Sequence, residues 1–103
     1  MITRAWWGKT PFDKANDYIR HLEGKVLPEL QKIDGHRGAY ILRRDLDDGV
    51  EFAVLTLWES MDAIRQFAGE DPERAVVLPE ARAVLSEFDS KVKHYEIVSG
   101  PDP

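Results

Sequence analysis

Apolar residues recur at three- and four-residue steps between positions 15 and 33: Ala15, Tyr18, Ile19, Leu22, Val26, Leu30 and Ile33. That spacing puts them on one face of a long helix. Pro11 opens the helix, where its missing N–H costs nothing. Pro28 falls inside it and should kink or divide it. Asp34-Gly35 stops it. Upstream, Ile2 to Trp7 is apolar and aromatic and predicts a strand closed by Gly8 to Pro11. Downstream, Gly38 to Arg44 and Glu51 to Trp58 predict two strands. They are joined by a tight turn at Asp47-Asp48-Gly49, where Asp-Gly is expected to supply the positive φ of a hairpin. Ser60 is a good N-cap for a short helix carrying Met61, Ile64, Phe67 and Ala68. Gly69 to Pro72 interrupts, and Val76-Val77-Leu78 fits either kind of element. Pro79 starts a last helix with Ala81, Val84, Leu85 and Phe88 on one face, and Val92 to Val98 is the final strand.

The order is β-α-β-β-α(α)-β. It predicts an α+β, ferredoxin-like fold: a four-stranded antiparallel sheet with helices on one face. The third strand, Phe52-Ala53-Val54-Leu55-Thr56-Leu57-Trp58, does not alternate, so both its faces should be buried. Helices cover one face. In so short a chain, a second copy is the expected cover for the other, which predicts a homodimer. With a two-residue turn, Tyr40, Leu42, Arg44, Ala53, Leu55 and Leu57 share one face. Ala39, Ile41, Arg43, Val54, Thr56 and Trp58 share the other. The pattern leaves open which face meets the helices, and which of Trp6 and Trp7 points inward.

Composition narrows the function. The chain has 103 residues, enough for one domain. The domain is expected over residues 1–98, with 99–103 as a flexible tail. A net charge of −5 excludes the basic footprint of a nucleic-acid binder and a polybasic membrane patch. With no cysteine, thiolate metal sites, disulfides and cysteine nucleophiles are excluded. No apolar run reaches a membrane span, and the N-terminus lacks the apolar stretch of a signal peptide. The expected location is cytoplasmic.

The candidate chemistry lies in histidines and aromatics. His21 lies at the edge of the first helix's apolar face. His94 lies on the last strand with Glu96, but two ligands do not make a metal site. His36 is expected to be exposed. Trp6, Trp7, Tyr18, Tyr40, Trp58, Phe67 and Tyr95 suit a flat apolar pocket, and suit a core or dimer interface equally. Arg43 or Arg44 could anchor an acidic substrate group or a dimer salt bridge. Asp45, Asp47 and Asp48 lack the spacing of a calcium loop.

Four stretches carry a family resemblance across residues 2 to 98. They are Leu27-Pro28-Glu29-Leu30 through Tyr40; Phe52 to Ile64, with its Trp58-Glu59-Ser60 corner; Phe67 to Pro79; and Val92 to Val98. Together they resemble the antibiotic biosynthesis monooxygenase-like group of dimeric α+β barrel proteins. The resemblance implies a homodimer whose sheets form a barrel, with a pocket between sheet and helices in each protomer. Some members oxygenate quinol-like aromatics with neither metal nor flavin, because the substrate itself supplies the electrons. Haem-degrading relatives carry a Trp and a His where this chain has Phe67 and Val77. Their first-strand Asn has no counterpart here, which argues against haem degradation.

The expectation is therefore a cofactor-independent monooxygenase acting on an aromatic, quinol-like substrate. Trp6, Tyr18, Trp58, Phe67 and Tyr95 would line its pocket. His94 or His21 would accept a substrate proton, and Arg43 would steady an oxyanion. No cofactor or metal is expected, and the expected partners are a second copy and a small apolar or aromatic molecule. Three rivals stand beside it: a non-catalytic module binding an apolar ligand, an isomerase or lyase on the same scaffold, and a haem protein using His21 or His94.

Overall fold

Burial with period two along the sheet decides which side faces the helices. In the computed structural model, which describes residues 1–101, Val50, Phe52, Thr56 and Trp58 are buried on one side of a central strand. The first strand, β1 (Ile2–Thr10), buries Arg4, Gly8 and Thr10 on that same side. Strand β3 (Gly49–Trp58) pairs antiparallel with β1 from Val50 to Trp58 and with β2 (His36–Leu46) on its other edge. Ile41 lies opposite Val54, and Leu42 opposite Ala53. The face assignment expected from a two-residue turn is therefore correct. The helices cover the face of Ile41, Val54, Thr56 and Trp58, and Trp6, opposite Val54, belongs to it. Trp7 lies on the opposite face.

The order β2-β3-β1 followed by the C-terminal strands is the ferredoxin-like antiparallel arrangement. Its fourth position is divided. β4 (Glu87–Phe88) and β5 (Lys93–Glu96) both pair with β1, so the expected single strand from Val92 to Val98 is shorter and has a companion. The last helix is also cut short. It spans Pro79–Arg82, one turn, and Phe88 lies in a strand and not on a helix. The free edge of β1 explains both changes. The Lys9 carbonyl accepts from the Ser86 backbone N–H at 2.8 Å and the Trp7 carbonyl from that of Asp89 at 3.0 Å. A free strand edge offers these carbonyls to a neighbouring chain, and an extended segment can bond them where a helix cannot.

The first helical stretch divides where Pro28 requires. After a short 3₁₀ turn (Phe12–Lys14), α1 (Ala15–His21) passes through a wide π-type turn (Leu22–Val26) into α2 (Leu27–Gln31). Pro28 has no N–H for the carbonyl one turn earlier. The ladder widens just before it, and the Leu27 N–H bonds the Leu22 carbonyl five residues back. The extra residue keeps Tyr18, Leu22, Val26 and Leu30 all facing the sheet.

α3 (Met61–Ala68) begins as expected, with Ser60 Oγ accepting from the Ala63 N–H at 3.2 Å, and ends at Gly69 with φ 88°. α4 is the single turn Pro79–Arg82. The hairpin turn corrects one expectation. Asp47 and Asp48 do form a two-residue turn, but Gly49 does not have positive φ. It opens β3 against the end of β1, where an added Cβ would lie 2.5 Å from the Thr10 carbonyl oxygen. Glycine is needed there for close approach and not for a left-handed turn.

Two apolar clusters fill the space between sheet and helices. One gathers Ala15, Tyr18, Leu22, Val50, Phe52 and Ala81, and the other Leu30, Trp58, Ala63 and Ile64. The opposite sheet face carries Tyr40, Leu42 and Tyr95, each about half exposed. Residues 99–101 are exposed and belong to no element, and the rest of the expected tail, 102–103, lies outside the described residues. No helix among the described residues is long and apolar enough to cross a membrane.

Candidate functional site

A cavity of about 70 Å³ opens between the sheet and α1, bounded by members of both apolar clusters. A single water needs roughly 10–15 Å³ on this scale, so the space is several waters large. Its walls are mostly aliphatic and aromatic. Its polar lining residues are Arg4, Thr56, His21 and Tyr18.

Local geometry fixes the aromatic wall. Trp6 and Gly8 follow each other on the inward side of β1. A Cβ on Gly8 would lie 2.3 Å from the end of the Trp6 indole, so the glycine lets the ring lie back along its own strand. Trp6 Nε1 donates to the Asp89 carbonyl at 2.9 Å, and the indole packs 6.3 Å from Tyr18 and 6.4 Å from Phe88. Tyr18 meets Phe52 edge-on at 5.1 Å and has His21 stacked beside it at 6.4 Å. Burial raises the Tyr18 pKa far above its ordinary value, so the phenol stays protonated.

Four of the residues expected from sequence meet at this cavity: Trp6, Tyr18, His21 and Phe67. Trp58 lies one layer beneath. It is fully buried, stacks on Phe67 at 6.0 Å, and donates from Nε1 to Thr56 Oγ1 at 2.8 Å. His94 does not line the space but touches a residue that does. The structure does not bring Arg43 or Tyr95 to it. Arg43 is exposed near the hairpin end and pairs with Asp45 at 3.0 Å. Tyr95 follows His94 in an alternating strand, so it points to the other side of the sheet, 55% exposed.

Sequence reasoning missed Arg4. It is 4% exposed, projects from β1 onto the helix side, and sits 5.7 Å from the centre of the Phe67 ring. Its guanidinium donates to the carbonyls of Pro72 and of Arg74, the latter at 2.7 Å, tying the 72–74 segment to the sheet. Its third partner is His94 Nε2 at 3.1 Å. Arginine can only donate, so that nitrogen must carry a lone pair and His94 is neutral, with its proton on Nδ1. Burial lowers the Arg4 pKa to about 10, which still leaves it charged at neutral pH. Arg4 alternates with Ile2 and Trp6, so an inward charge was legible once the inward face was known. Val76-Val77-Leu78 was left open by its pattern and forms an irregular wall of the cavity.

All three histidines have lowered pKa values, with burial the largest cause. For His21 the Glu80 carboxylate opposes the shift and Lys25 adds to it. For His94 the Arg4 charge adds to it and Glu73 opposes it. His36 is half-buried and not exposed as expected. Its ring stands edge-on to Trp58 at 5.0 Å, with Nε2 buried and unpartnered among the described residues. Among the described residues, no three His, Asp or Glu side chains converge as a metal site requires.

Comparison with known proteins adds a family and a fold. The family model described as antibiotic biosynthesis monooxygenase matches residues 9–77. A Bacillus cereus structure assigned by name to the antibiotic biosynthesis monooxygenases superposes with a TM-score of 0.69 at 17% identity, covering 100% of this chain and 96% of its own. Rv0793 from Mycobacterium tuberculosis superposes with a TM-score of 0.60 at 16% identity, covering 99% of this chain and 100% of its own. At these identities the two structures speak for the fold alone. No curated protein matches the chain.

Proposed function

Because the chain belongs to the antibiotic biosynthesis monooxygenase family, we propose that it oxygenates a small aromatic, quinol-like substrate held in the cavity beneath α1. The observation that carries this reading is a half-buried His21, its pKa lowered by burial, facing a cavity walled by Trp6, Tyr18 and Phe67. Flat aromatic walls suit a flat aromatic substrate. A histidine held neutral by burial is ready to take a phenolic proton. The resulting phenolate is electron-rich, and it supplies the electrons that reduce dioxygen. One oxygen atom enters the substrate and the other leaves as water.

The two histidines divide the work. His94 has its Nε2 lone pair engaged by Arg4, and a proton there would set two cations against each other. His21 is therefore the proton acceptor and His94 positions Arg4. The same engagement disfavours His94 Nε2 as an axial haem ligand. The active form is a homodimer closed over the open sheet face, where Leu42, Leu55 and Leu57 form an apolar row beside Trp7 and Tyr40.

Oxygen uptake with a panel of small quinols and naphthols tests the activity. The wild type should consume oxygen with at least one of them. His21→Gln should lose turnover while still quenching tryptophan fluorescence on binding. A wild type that binds these compounds and consumes no oxygen would mark the protein as a non-catalytic binding module.

A further inference from the structure

We infer that Arg4 binds the ionised oxygen of the aromatic ligand, so that the cavity selects a phenolate over the neutral phenol. This rests on the reading of the cavity as an aromatic-binding site and names the group that sets its charge preference.

The argument starts from an uncompensated charge. Arg20, Arg37, Arg43, Arg44 and Arg65 each pair with a surface carboxylate. Arg4 is far more buried than any of them, yet it pairs with no carboxylate among the described residues, in a chain holding 19 acidic side chains. Its partners are two backbone carbonyls and a neutral imidazole. Burying a charge without a counter-charge is costly, and removing both charge and cost would favour a neutral side chain if tethering residues 72–74 were the only task. Carbonyl acceptors need a donor and not a full positive charge.

The geometry leaves capacity for a ligand. A guanidinium has five N–H groups. The Pro72 and Arg74 carbonyls and His94 take three, leaving two without a protein acceptor among the described residues. Arg4 lines the cavity, and low-dielectric walls strengthen its attraction for an anion. The titratable groups around it are His94, His21 and the protonated Tyr18, with Glu73 beyond His94. None is an anion in contact with the guanidinium. A phenolate made when His21 takes the substrate proton would supply the missing counter-charge.

The probe is 4-nitrophenol, whose neutral and ionised forms differ in visible absorbance, compared with the uncharged 4-nitroanisole. Bound to the wild type, 4-nitrophenol should ionise at least about one pH unit lower than when free, a tenfold preference for the anion. Arg4→Met should abolish that shift in the 4-nitrophenol it still binds, and Arg4→Lys should restore part of the shift. A missing wild-type shift overturns the inference even if the Met variant fails to fold, and a partial shift in Arg4→Lys then ties the effect to residue 4. Both probes binding with no downward shift would overturn the inference and spare the aromatic cavity. So would a shift that survives in Arg4→Met. If neither probe binds the wild type, the aromatic-cavity reading falls and the inference falls with it.

Discussion

The hydrogen bond from Trp58 Nε1 to Thr56 Oγ1 joins the floor of the cavity to its wall, and a double-mutant cycle can measure what it contributes. Both side chains are buried, Trp58 completely and Thr56 at 6% exposure, and the bond is 2.8 Å long. Thr56→Val keeps the shape and strands the indole N–H in an apolar layer, which should cost about 1–3 kcal/mol. Trp58→Phe keeps an aromatic ring against Phe67 but removes buried volume, for about 2 kcal/mol. Once the indole N–H is gone, the valine strands no indole donor and loses only the long 3.5 Å contact from Thr56 Oγ1 to the Arg4 carbonyl, which the single Thr56→Val variant loses as well. The double variant should therefore be more stable than the sum of the singles by about 1 kcal/mol. A domain of this size holds roughly 5–15 kcal/mol, so all three variants should fold. Urea titration reads the free energies directly, and a coupling of that size moves Tm by roughly 4–8 °C. Additivity within about 0.3 kcal/mol would refute the reasoning, because the bond would then contribute nothing that solvent does not replace.

Gly8→Ala places a methyl group in the space of the Trp6 indole, at 2.3 Å from its nearest atom. The ring should leave the cavity wall, at a cost of about 1–3 kcal/mol, with a red-shifted tryptophan emission; an unchanged spectrum and stability would contradict the packing described. Leu55→Asp puts a charge in the middle of the open sheet face, and native mass spectrometry should find monomers where the wild type gives dimers; a monomeric wild type would remove the proposed assembly. His21, His36 and His94 all have folded pKa values below the ordinary histidine value of about 6.5, so the unfolded chain binds protons more readily as pH falls. Their contribution to stability is thus full above pH 6.5 and declines as pH drops through it, before the carboxylates titrate. Tm should fall between roughly pH 7 and 5, less so in His94→Gln, and a flat profile would show that the burial of these rings carries no linkage.

The amino-acid pattern by itself determined the element order from β1 through α3, the helix face from Ala15 to Leu30, the Ser60 cap and the division at Pro28. Each is local: spacing, a missing N–H, or a hydroxyl three residues from a free amide. It also determined which residues of β2 and β3 share a face, because a two-residue turn fixes register. It could not say which face the helices would cover, since the apolar run of β3 reads the same from both sides. That depended on packing, and packing in turn decided that Trp6 and Arg4 point inward while Trp7 and Tyr95 point out. The truncation of the last helix was equally invisible, because the demand came from the unpaired edge of a strand some 80 residues earlier. The candidate site followed the same division. Trp6, Tyr18, His21 and Phe67 were legible as aromatic or titratable residues on apolar faces. Arg4 was not, because a lone arginine in a strand reads as a solvated charge until the tertiary structure closes over it and gives it no carboxylate.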